Sequence, residues 1–221
     1  MEAIVLAGGF GTRLQSVVND VPKPMAPIKG RPFLCYVLDY LCGQGIKKCI
    51  LAVGYKYEKI KAYFGDSYQG LELIYSIEGE PLGTGGAIKQ ACEYCSDSDI
   101  FVFNGDTYFE VDLQALRTCY NDKFAMACLY KEDAARYGLI RLQNNLVTEL
   151  VEKRPDSCGL INGGVYLLNK NVFELCEGKF SLEIDILPTL VKQGSVNAIV
   201  SDGYFIDIGI PEDYKRAEKE L

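Results

Sequence analysis

Three glycines, a threonine and an arginine crowd the stretch Leu6-Ala7-Gly8-Gly9-Phe10-Gly11-Thr12-Arg13-Leu14. A lysine between two prolines follows in Pro22-Lys23-Pro24-Met25. Glycine has no Cβ, so a loop of this kind can bring backbone N–H groups close to an anion. Arg13 adds a planar fork able to bridge two phosphate oxygens, and Lys23 a compact ammonium able to follow a single charge. That equipment suits a polyphosphate. Two commoner phosphate loops do not fit. The Walker pattern ends in Gly-Lys-Ser/Thr, whereas Gly11 is followed by Thr12 and Arg13. The dinucleotide fingerprint has its third glycine where Leu14 stands and an acid where this chain has Val53-Gly54. A glycine cluster by itself also serves tight strand-to-helix connections. Thr12-Arg13 and the Pro-Lys-Pro are what turn the reading toward a ligand.

The stretch Leu6 to Met25 resembles the entry motif of the sugar-1-phosphate nucleotidyltransferases, enzymes that make nucleotide-activated sugars. Other landmarks of that family occur in order along nearly the whole chain: Pro81-Leu82-Gly83-Thr84-Gly85-Gly86-Ala87, Asn104-Gly105-Asp106, Glu152-Lys153, Asn162-Gly163-Gly164-Val165-Tyr166 and Asp207-Ile208-Gly209. Each motif is moderately specific, and the ordered set is strong. The wording is nearest to the bacterial guanylyltransferases acting on heptose 1-phosphates. This resemblance implies a GT-A-like, Rossmann-like α/β fold, a nucleoside triphosphate and a sugar 1-phosphate as partners, Mg²⁺ as cofactor, and a place in surface-polysaccharide synthesis. Some members carry a further C-terminal β-helix domain, so this chain reads as a minimal version.

The implied reaction joins a sugar phosphate oxygen to the α-phosphorus and releases pyrophosphate. The attacking group is already an anion, so alignment and charge neutralisation matter more than a base. By resemblance, Arg13 holds the departing β- and γ-phosphates and Lys23 the α-phosphate. The nucleotide cradle takes in Leu6, Ala7, Gly8, Gly9, Gly11, Thr12, Gly83, Thr84, Asn104 and Gly105. Asp106 and Asp207 form the expected metal pair, each just past a strand ending and able to reach the same edge of one sheet. Mg²⁺ commonly takes one or two carboxylates and fills its shell with water and phosphate oxygens. Asp beside Gly also caps turns, and that reading stays open. Glu152-Lys153, Asn162-Gly163 and Tyr137-Gly138 match the family's sugar and sugar-phosphate contacts, with Glu183 as an added candidate. For the base, Glu78 or Glu80 can accept from guanine N1 and N2, a pattern uracil and thymine do not offer. A UTP-, dTTP- or CTP-using relative acting on a hexose 1-phosphate or phosphocholine is the alternative within the class. A catalytically silent nucleotide-sugar binder is the alternative outside it.

Composition sets the frame for these residues. With 221 residues, one nucleotidyltransferase domain spanning 1–221 is expected, residues 1–123 forming a nucleotide-binding half and 124–221 a sugar-binding half. A net charge of −7 argues against nucleic-acid binding. No apolar run has the length of a membrane span. The chain opens on a strand without a basic or cleavable leader, so a cytoplasmic protein with no membrane partner is expected. A homodimer is left open. Nine cysteines, an odd number, are expected as reduced thiols, including the Cys92/Cys95 pair. Histidine is absent, which excludes Ser-His and Cys-His nucleophilic catalysis.

The positioning elements follow from hydrophobic period. Ala3–Leu6, Cys49–Val53, Leu71–Ile77 and Ile100–Phe103 read as strands. Helices opened by Pro32, over Glu58–Phe64 and over Ala87–Cys95 alternate with them, the last after a glycine-rich turn at Gly83–Gly86. That alternation predicts a mostly parallel sheet flanked by helices, with ligands at the carboxyl ends of its strands. From about Phe124 strands dominate: Ala125–Tyr130, Gly138–Leu142, Val147–Val151, Leu160–Leu168, Val196–Val200 and Tyr204–Ile206. Glu183–Lys192 reads as a helix kinked or restarted at Pro188, and Pro211–Leu221 as a closing helix.

Overall fold

Ala3, Ile4 and Val5 are fully buried, and each successive residue faces the opposite side of the sheet. Their strand, β1 (Glu2–Leu6), is therefore apolar from Ala3 onward, as a strand covered on both faces must be. In this computed structural model, which describes residues 1–9, 14 and 21–221, β1 lies at the centre of the molecule. The elements after it are α1 (Phe33–Gly43), β2 (Lys48–Val53), α2 (Tyr57–Phe64), β3 (Leu71–Ile77), α3 (Gly83–Ala91) and β4 (Asp99–Asn104). Then come β5 (Thr107–Phe109), α4 (Leu113–Cys119), β6 (Phe124–Lys131), β7 (Leu139–Gln143), β8 (Leu146–Val151) and β9 (Gly159–Asn169). The chain closes with α5 (Leu187–Lys192), β10 (Asn197–Val200), β11 (Phe205–Asp207) and α6 (Pro211–Glu220).

Among the described residues ten strands form one sheet, in the order β7-β8-β10-β6-β9-β4-β1-β2-β3 with the short strand Ser67–Tyr68 at the far edge. The run β4-β1-β2-β3 is parallel throughout. Beyond β4 the sheet turns mostly antiparallel, because β9 runs against both β4 and β6; only β10 against β6 restores a parallel pair. The parallel expectation therefore holds for the first half, where helices supply the crossovers. In the second half hairpins replace helices, and hairpins pair antiparallel.

The alternation of side chains divides the core in two. Ala3, Val5, Leu51 and Phe103 pack on one face against Phe33, Leu34, Leu38 and Leu41 of α1. Ile4, Ile50 and Val102 pack on the other against Ala87, Ile88 and Ala91 of α3. Each such buried side chain contributes roughly 1.5–3 kcal/mol relative to exposure, so truncating Ile4 or Phe101 would loosen the strand that carries the site. All nine cysteines are free, with Cys35, Cys49, Cys92, Cys95 and Cys128 buried. Burial pushes the Cys92 and Cys95 thiols up to about 12, as expected of core residues rather than reactive ones. Among the described residues no helix is long and apolar enough to cross a membrane.

Two expectations need correction, and one is decided between its alternatives. Gly83–Gly86 is not a turn before a helix but the first turn of α3 itself. The Phe180 carbonyl accepts from Gly85 N–H and Gly86 N–H at 3.1 and 3.2 Å, and the Phe180 ring lies where a Gly85 side chain would stand. A contact from a hundred residues away thus stabilises a helix start that glycine disfavours locally. Of the two readings of Glu183–Lys192, the restart at Pro188 holds and the kink does not, with Glu183 in the element before the restart. A π-helical turn, Leu182–Ile186, precedes α5, and Pro188 falls in the first turn of α5, where its missing N–H costs nothing. Finally, Asp207 ends β11 rather than following it, and β11 belongs to a separate two-stranded ribbon with β5, in which Asp207 faces Thr107. The two aspartates do not share one sheet edge; they meet because β4 passes through Asp106 directly into that ribbon.

Candidate active site

A cavity of about 550 Å³ opens at the carboxyl end of β1. Its walls include Leu6, Gly8, Gly9, Lys23, Glu78, Glu80, Gly83, Thr84, Asn104 and Asp106 from the predicted set. Gly11, Thr12 and Arg13 lie outside the described residues. Ala7 and Gly105 stand behind the wall: the Ala7 N–H donates to Ala52 and the Gly105 N–H to the Leu6 carbonyl, at 2.7 and 2.9 Å. They shape the cradle without lining it. A Cβ at Gly8 would stand 2.5 Å from Glu78 Oε1 and displace that carboxylate. That same distance places the Glu78 carboxylate against the cradle backbone. Its Oε2 accepts from the Leu82 N–H at 3.0 Å, leaving Oε1 uncommitted to that bond. Burial raises the Glu78 pKa, and the Leu82 N–H pulls it back. Glu80 is exposed at the cavity rim.

A second cavity, of about 870 Å³, adjoins the first. Gly138, Glu152, Lys153, Asn162, Gly163 and Asp207 all line it, so the structure brings together every predicted sugar-side residue. Four residues, Thr84, Asn104, Asp106 and Glu183, line both cavities and so mark their common boundary. Glu183 is fixed there by Thr84 Oγ1 and Ser181 Oγ, which donate to its Oε2 at 2.6 and 3.0 Å.

Lys23 bridges the boundary. It opens a single 3₁₀ turn, Lys23–Met25, whose entry is held extended by Pro22. Its Nζ lies 2.5 Å from Asp106 Oδ2 and 3.9 Å from Asp207 Oδ1. Side-chain exposures of 10%, 38% and 25% for Lys23, Asp106 and Asp207 leave this contact only partly screened. Asp207 also accepts from the Gly209 N–H at 2.7 Å, and the Ile208 N–H donates to the Asp106 carbonyl at 3.0 Å. The carboxyl of Asp207 is nonetheless raised, by burial first and then by the Asp106 charge, against the pull of Lys23 and Gly209. One lysine under-neutralises the pair. A divalent cation suits such a donor set, and among the described residues no cluster of three or more acidic, Cys or His side chains offers a fuller cage. A cation here would complete its shell from water and substrate phosphates.

Several lining residues escaped sequence reasoning. Tyr55 and Gly54 line the first cavity, and Arg136 and Tyr166 the second. Tyr166 is fully buried and its hydroxyl accepts from Asn162 Nδ2 at 2.6 Å, which orients Asn162 toward the cavity. Its place in the quoted Asn162–Tyr166 motif was the available signal. Arg136 is ion-paired with the buried Asp213 of α6, a tie that links the cavity wall to the closing helix.

The chain matches the family described as "Nucleotidyl transferase" over residues 2–221. The D-glycero-alpha-D-manno-heptose 1-phosphate guanylyltransferase of Aneurinibacillus thermoaerophilus is 48% identical over 227 residues, covering 100% of this chain and 98% of the relative. That of Campylobacter jejuni is 48% identical over 217 residues, covering 97% of each. A crystal structure of HddC from Yersinia pseudotuberculosis complexed with GMP-PN has a TM-score of 0.88 at 41% identity, covering 99% of this chain and 98% of that one. Enzymes of this type generally use a divalent metal ion. With likeness of this degree running from the first strand to the last helix, the chain belongs to the nucleotidyl transferase family.

Proposed function

We propose that this protein condenses GTP with D-glycero-α-D-manno-heptose 1-phosphate, giving the GDP-sugar and pyrophosphate. The observation that carries the reading is the bridge of Lys23 to Asp106 and Asp207 where two adjoining cavities meet. One cavity can take the nucleotide and the other the sugar, so their phosphates would face each other across that bridge. The substrate identities are supported by the two guanylyltransferase relatives and by the guanosine-based ligand in the HddC complex.

In the reaction a sugar-phosphate oxygen forms a bond to the α-phosphorus as the bond to the pyrophosphate oxygen breaks. Lys23 binds the α-phosphate, and Arg13 the β- and γ-phosphates. Lys153 holds the sugar phosphate, so that two polyanions are brought together by fixed cations. Glu152, Asn162, Gly163, Gly138 and Glu183 contact sugar hydroxyls or let the ring approach. Glu78 accepts from guanine N–H groups, with Glu80 at the rim. Gly8, Gly9, Gly83, Thr84 and Asn104 enclose the nucleotide. Asp106 and Asp207 would hold Mg²⁺, which supplies charge neutralisation at the reacting phosphates when bound. Such substrates and free thiols support a cytoplasmic setting.

The test is pyrophosphate release across four nucleoside triphosphates and a panel of sugar 1-phosphates. GTP with the heptose 1-phosphate is expected to exceed every other pair in kcat/KM by roughly a hundredfold or more. Absence of turnover with GTP rejects the base assignment. Turnover with GTP on other sugars alone rejects the heptose.

A further inference from the structure

The geometry points to a second task for Lys23: in the nucleotide-free protein its ammonium occupies the place of the divalent cation, and the cation enters only when a nucleotide draws the lysine away. This rests on the proposal above that Asp106 and Asp207 hold a metal ion. Lys23 Nζ sits 2.5 Å from one carboxylate and 3.9 Å from the other, so it stands between the two groups a metal would join. Gly209 leaves room for it there, since a side chain at that position would stand 3.3 Å from the ammonium. The Lys23 backbone is set in a turn between Pro22 and Pro24, whose rings restrict φ on either side. A hard cation needs those same oxygens at about 2.1 Å. Two positive centres on one pair of carboxylates repel where water screens them only in part, as it does here.

The way out is equally defined. Lys23 lines the nucleotide cavity, whereas Asp207 lines only the neighbouring one. The open side of the lysine therefore faces the space a triphosphate would fill. An α-phosphate arriving there offers the ammonium a replacement anion and leaves the aspartates to the metal. Metal and nucleotide then favour each other's binding by the same factor, since coupling between two sites is reciprocal. A free metal ion finds the ammonium already between the carboxylates, and a triphosphate without metal finds Lys23 held by Asp106. Neither substrate component binds well without the other.

Mn²⁺ binding to the full chain, followed by electron paramagnetic resonance, tests this without turnover. Nucleotide-free wild type is expected to bind Mn²⁺ at least tenfold more weakly than Lys23→Met, with Lys23→Gln as a second variant behaving alike. Adding Asp106→Asn to Lys23→Met should return the affinity to the wild-type level. Equal Mn²⁺ affinity in nucleotide-free wild type and both lysine variants overturns the inference. Failure of the underlying metal assignment looks different: Asp106→Asn and Asp207→Asn would then leave unchanged the Mn²⁺ bound in a complex with the non-cleavable α,β-methylene analogue of GTP.

Discussion

Replacing Glu78 by Gln changes one oxygen to an amide and leaves the side chain's length intact. In the wild type, Oε2 accepts from the Leu82 N–H at 3.0 Å, and Oε1 lies at the Gly8 backbone on the cavity floor. A guanine edge seated there would offer N1–H and N2–H to this carboxylate. Hydrogen bonds to a charged group contribute about 1.5–3 kcal/mol each, and glutamine keeps one acceptor but presents N–H to a donor. The expected loss is about 2–4 kcal/mol, roughly 30- to 700-fold in kcat/KM for GTP. Inosine triphosphate, which lacks the N2 amine, provides the control: the preference for GTP over ITP should shrink toward unity in Glu78→Gln. The pH dependence has a definite sign. Burial raises the Glu78 pKa, so acidification through that raised value adds a proton and removes the acceptor. Wild-type KM for GTP should rise as pH falls, and the variant should show a flatter profile. Because the ionised form is the one disfavoured in the fold, Glu78→Gln should raise the thermal midpoint of the nucleotide-free protein at pH 8, by an amount that diminishes toward pH 5. An unchanged GTP/ITP ratio in Glu78→Gln would refute the reasoning.

Gly163→Ala places a methyl 2.4–2.5 Å from the Phe109 ring and 3.0 Å from the Ala127 carbonyl, so overpacking of about 1–3 kcal/mol is expected, lowering the thermal midpoint by roughly 2–12 °C. An unaltered melting curve would mean that the strand gives way freely. Asp112 caps α4, accepting from the Gln114 and Ala115 N–H groups at 2.9 and 3.1 Å; Asp112→Ala should cost about 1 kcal/mol in urea unfolding and leave kcat as it was. Arg13→Ala and Asp106→Asn should each lower kcat by a hundredfold or more in a folded protein, and near-normal turnover removes that residue from the machinery.

Much of this molecule could be read from residue order. β1 to β4 and the first two helices fall within a residue or two of expectation, because strands buried on both faces announce themselves as unbroken apolar runs such as Cys49–Val53. What eluded reading depends on contacts between distant segments. Nothing local in Gly83-Thr84-Gly85-Gly86 says that a Phe180 carbonyl will cap them into a helix. The strand Thr107–Phe109 is too short to show a period, and nothing local says that Phe205–Asp207, read one residue early, pairs with it to carry Asp207 to Asp106. Glu183 reaches Thr84 across ninety-nine positions, through a π-helical turn that no pattern signals. The glycine loop and its two cations were legible from phosphate chemistry and the sugar-side candidates from the family resemblance; the boundary between the two cavities was not, since distant segments build it.

The central claim is that a nucleotide and a sugar phosphate meet at Lys23, Asp106 and Asp207. A crystal structure of the protein with GDP-heptose bound tests it most directly. The account predicts the guanine beside Glu78, the diphosphate within hydrogen-bonding reach of Lys23, and the heptose against Glu152, Lys153 and Asn162. A diphosphate bound away from Lys23, or a base seated in the second cavity, would contradict it.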